Sequence, residues 1–285
     1  MLIIRYFLLF TFPCVLAQNI SYAPIINNTP NFSALLFSNS KNVDSSRFES
    51  KFGNTSGLGD LSDFRLLYGY AQFCPLNNSK TEISKSTFGI KFSSDQEGKF
   101  LSTNRIFGYY SRKVALGYEN TLSLSISAGI FNINATTSSA GGTSASIPDV
   151  ESALVYESNK LKIGVSINHL LNNRINSFSS PIWMKRYGQL FISYSIPISY
   201  QDIFVPFTYI RFPYFDNKMY WQFGAYFIFI ERIKIGTSLN SFGNLMPMLG
   251  LQLNKFEIMF NYIFPVKKYS NRIGNQFDIG IGLKF

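Results

Sequence analysis

Apolar and polar residues alternate with a period of two in many separate stretches of this chain. The last eleven residues are the cleanest case: Phe277, Ile279, Ile281, Leu283 and Phe285 fall on one face, with Gln276, Asp278, Gly280, Gly282 and Lys284 on the other. Such a period means a β-strand with one greasy and one polar side, and about ten residues of it, tilted, cross the hydrocarbon core of a bilayer. The pattern predicts that the chain ends inside a membrane. An aromatic residue closing a final amphipathic strand is also what the outer-membrane barrel assembly machinery reads, so these five side chains are expected to act as an assembly signal.

The alternation recurs upstream. Leu122, Leu124, Ile126, Ala128 and Ile130 face away from Thr121, Ser123, Ser125, Ser127 and Gly129, and Leu161, Ile163, Val165 and Ile167 face away from Lys160, Lys162, Gly164, Ser166 and Asn168. Weaker or mixed alternation predicts strands near 61–73, 82–92, 103–110, 112–119, 149–157, 187–197 and 202–212. Clearer strands are expected near 218–229, 231–240, 245–254 and 255–265. With the terminal strand and one early strand the count is about 14, an even number that suits a bacterial barrel. Apolar positions are odd at Leu249, Leu251 and Leu253 and even at Phe256, Ile258 and Phe260, the parity switch of a two-residue turn at Asn254-Lys255. Pro206 and Pro247 interrupt expected strands and mark bulges or strand limits. Asn134–Ile147, rich in Thr, Ser, Ala and Gly, reads as a flexible loop, as does the polar stretch from Asn172 to Ser180.

Composition narrows the class. Hydrophobic residues make up 46% of the 285 and aromatics 17%, yet no segment after the start approaches the roughly 18 uninterrupted apolar residues of a membrane-spanning helix. An aromatic-rich chain without long apolar runs places its hydrophobicity on alternate positions, the barrel solution to backbone hydrogen bonding in lipid. The start supports export: a short basic opening through Arg5, an apolar run from Tyr6 to Phe12, and Val15-Leu16-Ala17 ahead of Gln18 read as a signal peptide over 1–17, cleaved at Ala17-Gln18. Residues 18–285 are then one domain, a closed antiparallel transmembrane outer-membrane β-barrel, all-β, with 18–45 as a periplasmic segment or plug. Cleavage leaves Cys74 alone, so no disulfide framework is expected.

The net charge of +10 becomes +9 once Arg5 is removed. Basic residues such as Lys160, Lys162, Arg232, Lys234 and Lys255 are scattered over strand faces and turns without a binding motif, so they read as lumen and rim charges and no nucleic-acid partner is expected. Trp183, Tyr187, Phe212, Tyr214, Phe215, Tyr220 and Trp221 fall near strand ends, where amphipathic rings favour the head-group zone; a carbohydrate-binding platform is the sharper alternative. His169 is the one histidine and reads as an interfacial or packing residue, leaving no catalytic constellation, no metal cluster and no cofactor site. The carboxylate pairs Asp149/Glu151 and Asp95/Glu97 read as solvated turns or lumen-facing charges. Gly57-Leu58-Gly59 lacks the context of a phosphate loop.

Phe88-Gly89-Ile90-Lys91-Phe92-Ser93-Ser94-Asp95-Gln96-Glu97-Gly98, then Phe107-Gly108-Tyr109-Tyr110, then Leu122–Gly129, in that order, resemble the PorP/SprF family of type IX secretion system membrane proteins. Pro148-Asp149, Leu154-Val155-Tyr156 and Gly164–Leu171 are similar to the next block of that family. The resemblance covers 80–285 and is densest over 86–171. The chain departs from the family at Tyr22-Ala23-Pro24 and at Asn275-Gln276-Phe277-Asp278.

The resemblance implies a non-enzymatic outer-membrane component that helps export secreted cargo or hold it at the surface, adhesins of gliding motility included in some relatives. Its partners would be outer-membrane lipid, the type IX secretion machinery, its cargo and the barrel assembly machinery. No contact residue follows from matching strand and turn segments, and 134–147 and 172–186 are the expected partner loops. The rival from another class is a transport channel for small apolar solutes such as fatty acids; a soluble exported β-sandwich adhesin is a third reading.

Overall fold

The computed structural model describes residues 47–56, 64–73, 84–97, 101–117, 119–137, 141–176, 182–212, 219–241, 243–254, 256–265 and 275–284. The signal-peptide and plug segments, Cys74, Gly57-Leu58-Gly59, Tyr214, Phe215 and Phe285 lie outside them. Everything regular among the described residues is β-strand. The strands are β1 Arg47–Ser56, β2 Phe64–Phe73, β3 Ser84–Glu97, β4 Leu101–Ala115, β5 Thr121–Thr137, β6 Gly141–Glu157, β7 Leu161–Asn168, β8 Arg174–Ile175 and β9 Ile182–Trp183. They continue with β10 Tyr187–Tyr194, β11 Ile196–Pro197, β12 Ile203–Phe212, β13 Tyr220–Phe229, β14 Ile233–Asn240, β15 Asn244–Leu253, β16 Phe256–Pro265 and β17 Asn275–Lys284.

Fourteen of these strands have eight or more residues, and every pairing between them is antiparallel. From β1 to β7 each pairs with its successor, as do β12 to β17. The two runs meet twice. β1 pairs with β17, from Arg47 opposite Lys284 to Ser56 opposite Asn275, and β10 lies between β7 and β12. Each of the fourteen therefore has a ladder partner on both sides. That arrangement pairs most of the backbone within the sheet, as a sheet in lipid requires, while residues 141–151 of β6 extend past its pairs with β7 at Ser152–Glu157.

Short hairpins set the register. Leu253 pairs with Phe256 across Asn254-Lys255, as the parity switch requires, and Asn254 takes the left-handed φ of 50° that a tight hairpin needs and Asn tolerates. At the β13–β14 turn Ile230 and Glu231 hold φ of 51° and 57°, a costly conformation for a β-branched residue. It is closed by Arg232 N donating to the Phe229 carbonyl at 2.9 Å.

Three expectations are corrected. The stretch 134–147 is not a loop: β5 runs on to Thr137 and β6 starts at Gly141, and their ladder holds register from Thr121 opposite Glu157 to Thr137 opposite Gly141. Cross-strand pairing here overrides a composition that reads as coil. The strands expected at 103–110 and 112–119 are one strand, β4, continuous through Tyr110-Ser111. Pro247 makes no bulge; the β15–β16 ladder skips Met246 and Pro247 and resumes with Met248 opposite Asn261, the same number of residues on both sides. Pro206 sits just beyond the last β10–β12 pair, where its missing N–H costs no bond on that side.

Candidate functional site

The two faces of the sheet differ in kind. On β5, Leu124, Ile126 and Ile130 are exposed, Leu124 to 61%, while Ser123, Ser125 and Ser127 are buried, Ser125 to 1%. The outer face continues as Ile90 and Phe88 on β3, Ile106 on β4, Leu154 on β6 and Val165 and Ile167 on β7. Across the molecule it carries Leu245, Leu249 and Leu251 on β15 and Phe256, Ile258, Phe260 and Phe264 on β16. Ile279 and Ile281 of the expected assembly signal lie on this exposed face of β17, whose backbone also carries Phe277 and Leu283. An Ile/Leu/Phe surface of this extent needs an apolar surrounding.

The inner face gathers charge and aromatic rings. Lys91 on β3 reaches past β4 and β5 to pair with Glu151 on β6, and Ser127 Oγ donates to the same carboxylate oxygen at 3.4 Å. The Lys91 ammonium stands 4.9 Å from the Phe107 ring centre, the Arg105 guanidinium 4.5 Å from Phe131 and the Arg211 guanidinium 3.7 Å from Tyr187. Cations stacked on ring faces are partly compensated for lost water. Neighbouring hydroxyls and amides close on each other: Ser125 Oγ donates to Ser111 Oγ at 2.7 Å, Ser166 Oγ to Gln189 Oε1 at 2.9 Å and Gln222 Nε2 to Ser238 Oγ at 3.0 Å.

His169 joins these groups. Its Nδ1 lies 2.6 Å from Asp149 Oδ2, and its ring meets Phe131 and Tyr187 edge-on with centroids 6.1 and 5.4 Å apart. It is 3% exposed, so it is a packing residue of the interior and not an interfacial one. Asp149 and Glu151, expected as turn or lumen charges, both face inward, and each is paired with a base rather than with the other carboxylate.

The expected aromatic girdle divides. Phe212 is exposed on the outer face, but Tyr187 and Tyr220 are buried on the inner face; Trp221 lies half-buried beside Phe223, ring centres 5.0 Å apart. A second ion pair closes the inner face elsewhere: Lys234 Nζ donates to Glu257 Oε1 at 2.6 Å. It lies across Gly250, where a Cβ would stand 3.2 Å from Lys234 Cβ.

Above Ile130 the polarity of β5 reverses. Asn132 and Asn134 now point outward, where Asn132 Nδ2 donates to Ser146 Oγ at 2.8 Å and Asn134 Nδ2 to Ser102 Oγ at 3.4 Å. Phe131, Ile133 and Ala145 point inward, and Ile175 and Met184 of the β7–β10 connection pack on them as one buried apolar cluster. The reversal is visible in the sequence as a change of apolar parity between Ile130 and Phe131. The expectation of a loop at 134–147 hid it, and with it the inner roles of Phe131, Arg105, Lys91 and Arg211.

Among the described residues no three His, Cys, Asp or Glu side chains gather as metal ligands. Lys91 pairs with Glu151 and His169 with Asp149 on the inner face, while the buried Tyr187 hydroxyl and Asn261 amide make no hydrogen bond there among the described residues.

The profile of the family described as type IX secretion system membrane protein PorP/SprF matches residues 74–283, a span that runs from ahead of β3 into β17. No curated protein matches the chain. Among solved structures it is similar to the Pseudomonas putida toluene transporter TodX, with a TM-score of 0.51 at 6% identity over 85% of this chain and 90% of that one. A TodX deltaS2S3 mutant, described as a monoaromatic hydrocarbon channel, gives a TM-score of 0.51 at 8% identity over 84% of this chain and 90% of that one. At such identities the likeness is one of fold.

Proposed function

The chain belongs to the PorP/SprF family of type IX secretion system membrane proteins, and on that footing we propose that it is a non-enzymatic outer-membrane barrel that assists export or surface attachment of the pathway's cargo. The observation that carries the reading is the family match from residue 74 to 283 on a sheet whose outer face is Ile, Leu and Phe. Closure of the barrel is supported by the pairing of β1 with β17 and of β10 with β12. In this reading 1–17 is removed at Ala17-Gln18, and Phe277, Ile279, Ile281, Leu283 and Phe285 address the chain to the barrel assembly machinery. Lys284 then lies at the periplasmic end with the short turns, and the β5–β6 extension stands on the cell surface, where cargo such as an adhesin is held.

Deleting the gene and comparing surface proteomes tests this. The expected result is loss of a defined set of secreted proteins from the surface, with uptake of small apolar solutes unchanged. Normal surface display together with impaired uptake would overturn it in favour of a solute channel.

A further inference from the structure

We infer that this chain closes its own lumen: residues 169–176 and 182–186 fold inward as a fixed cap at the end away from Lys284, and the charged and aromatic layer beneath them fills the barrel. The inference rests on the membrane-barrel reading above. Its starting point is the reversal of polarity on β5 and β6. Once a strand leaves lipid its outer face meets water, which Asn132, Asn134, Ser144 and Ser146 satisfy. An inner row of Phe131, Ile133 and Ala145 would face water as well if the mouth were open. Instead Ile175 and Met184 cover it, and removing such side chains from water favours the covered arrangement.

The cap is fastened to β6 where it starts and tied to itself on the return. His169 bonds Asp149 at 2.6 Å, and Leu170 N donates to the Val150 carbonyl at 2.9 Å. On the return, Met184 N donates to the Asn173 carbonyl at 2.9 Å and Arg186 Nε to the Leu170 carbonyl at 2.8 Å. Below the cap, Lys91 and Glu151 join strands that are three apart in the sheet, and Ser123, Ser125, Ser127 and Gln222 on the wall are buried. A conducting pore needs a lining that water reaches. Here the described lining on β5 and β13 is covered, which assigns the work of the protein to its rims and outer face.

The test is ion conductance of the purified full chain in planar lipid bilayers. The wild type is expected to give no stepwise current, whereas Ile175→Asp and Met184→Asp combined with Arg105→Ser and Arg211→Ser should conduct. Stable current steps from the wild type would overturn the inference, and so would a folded quadruple variant that stays silent. A second measurement does not need that variant: with Cys74→Ser, a hydrophilic maleimide should label Ser125→Cys at least about tenfold more slowly than Ser144→Cys, as for a site reached only by opening. Equal rates would overturn the cap. Heat-dependent migration on unboiled gels and flotation with vesicles report the barrel separately. A wild type failing both refutes the barrel, whereas one that passes and conducts refutes the closure alone.

Discussion

The wall from β3 to β6 and the wall from β12 to β17 solve different problems with the same alternation. Strands of the second wall hold 8 to 10 residues, about the number that crosses a bilayer, and their outer face stays largely apolar, with Thr208 and Thr237 among its Ile, Leu and Phe side chains. Strands of the first hold 14 to 17, so β5 and β6 run on for several residues beyond that need, about 20 Å of strand. The short wall has one environment outside it and the tall wall has two. A strand long enough to meet two solvents must exchange its faces where they meet, and β5 does so between Ile130 and Phe131.

The largest expected effect separates the ion pairs of the two walls. Removing the Glu151 carboxylate strands Lys91, which is 7% exposed at its side chain, so Glu151→Ala should cost about 3–5 kcal/mol. Replacing both partners by Met should recover most of it, because two apolar groups of similar volume need no compensation. Lys234 keeps 22% of its side chain exposed, and water remains available to it, so Glu257→Ala should cost about 1 kcal/mol. Reversible urea unfolding in lipid vesicles measures all three. Equal losses at Glu151 and Glu257 would erase the difference between the walls.

Next comes the boundary itself. Ile126 and Asn134 lie on the same face of the same strand, on either side of the reversal. Ile126→Arg should destabilise by about 2–4 kcal/mol, the cost of a charge near the bilayer midplane, and Asn134→Arg by about 0–1. The same unfolding assay sharpens the comparison when repeated along the outer positions of β5, since the cost should drop between Ile130 and Asn132. A cost that does not fall along the strand would place all of β5 in one environment and remove the reason for the reversal.

How much of this the sequence made legible follows from the same contrast. The short wall was readable nearly strand by strand, down to Leu253 opposite Phe256, because one solvent on each side gives one unbroken alternation. Asp149 and Glu151 read as solvated turns or lumen-facing charges, and the structure buries both facing inward. The tall wall was not readable in this way. Its extension carries Asn, Ser, Thr and Gly on the outside and small or mixed side chains within, a composition that loops share, and only the ladder with the neighbouring strand holds it extended. In β4 the adjacent Tyr109-Tyr110 and Arg112-Lys113 pairs broke the apolar count and suggested two strands where register makes one. Tyr187 and Tyr220 sit at strand ends, where rings favour an interface, and nothing short of the pairing reveals that both turn inward. Their partners, Arg211 and Tyr209, come from another strand.

The smallest expected effects concern glycine. On the tall wall a Cβ at Gly129 would stand 2.0 Å from the Ile106 carbonyl oxygen and 2.6 Å from Phe107 Cα, both backbone atoms of the paired strand. Relief requires β4 and β5 to move apart, so Gly129→Ala should cost about 1–3 kcal/mol, in the range of overpacking. On the short wall a Cβ at Gly250 would meet Met259 Sδ at 2.5 Å and Lys234 Cβ at 3.2 Å. The first is the far end of a flexible side chain that repacks readily, and the second must yield by a few tenths of an ångström. Gly250→Ala should therefore stay within about 1 kcal/mol, with Lys234 shifting against Glu257. If Gly250→Ala proves the more damaging of the two, the Lys234–Glu257 bridge holds its geometry more rigidly than its partial exposure implies. The short wall would then have to be read as tightly determined on its inner face as the tall one.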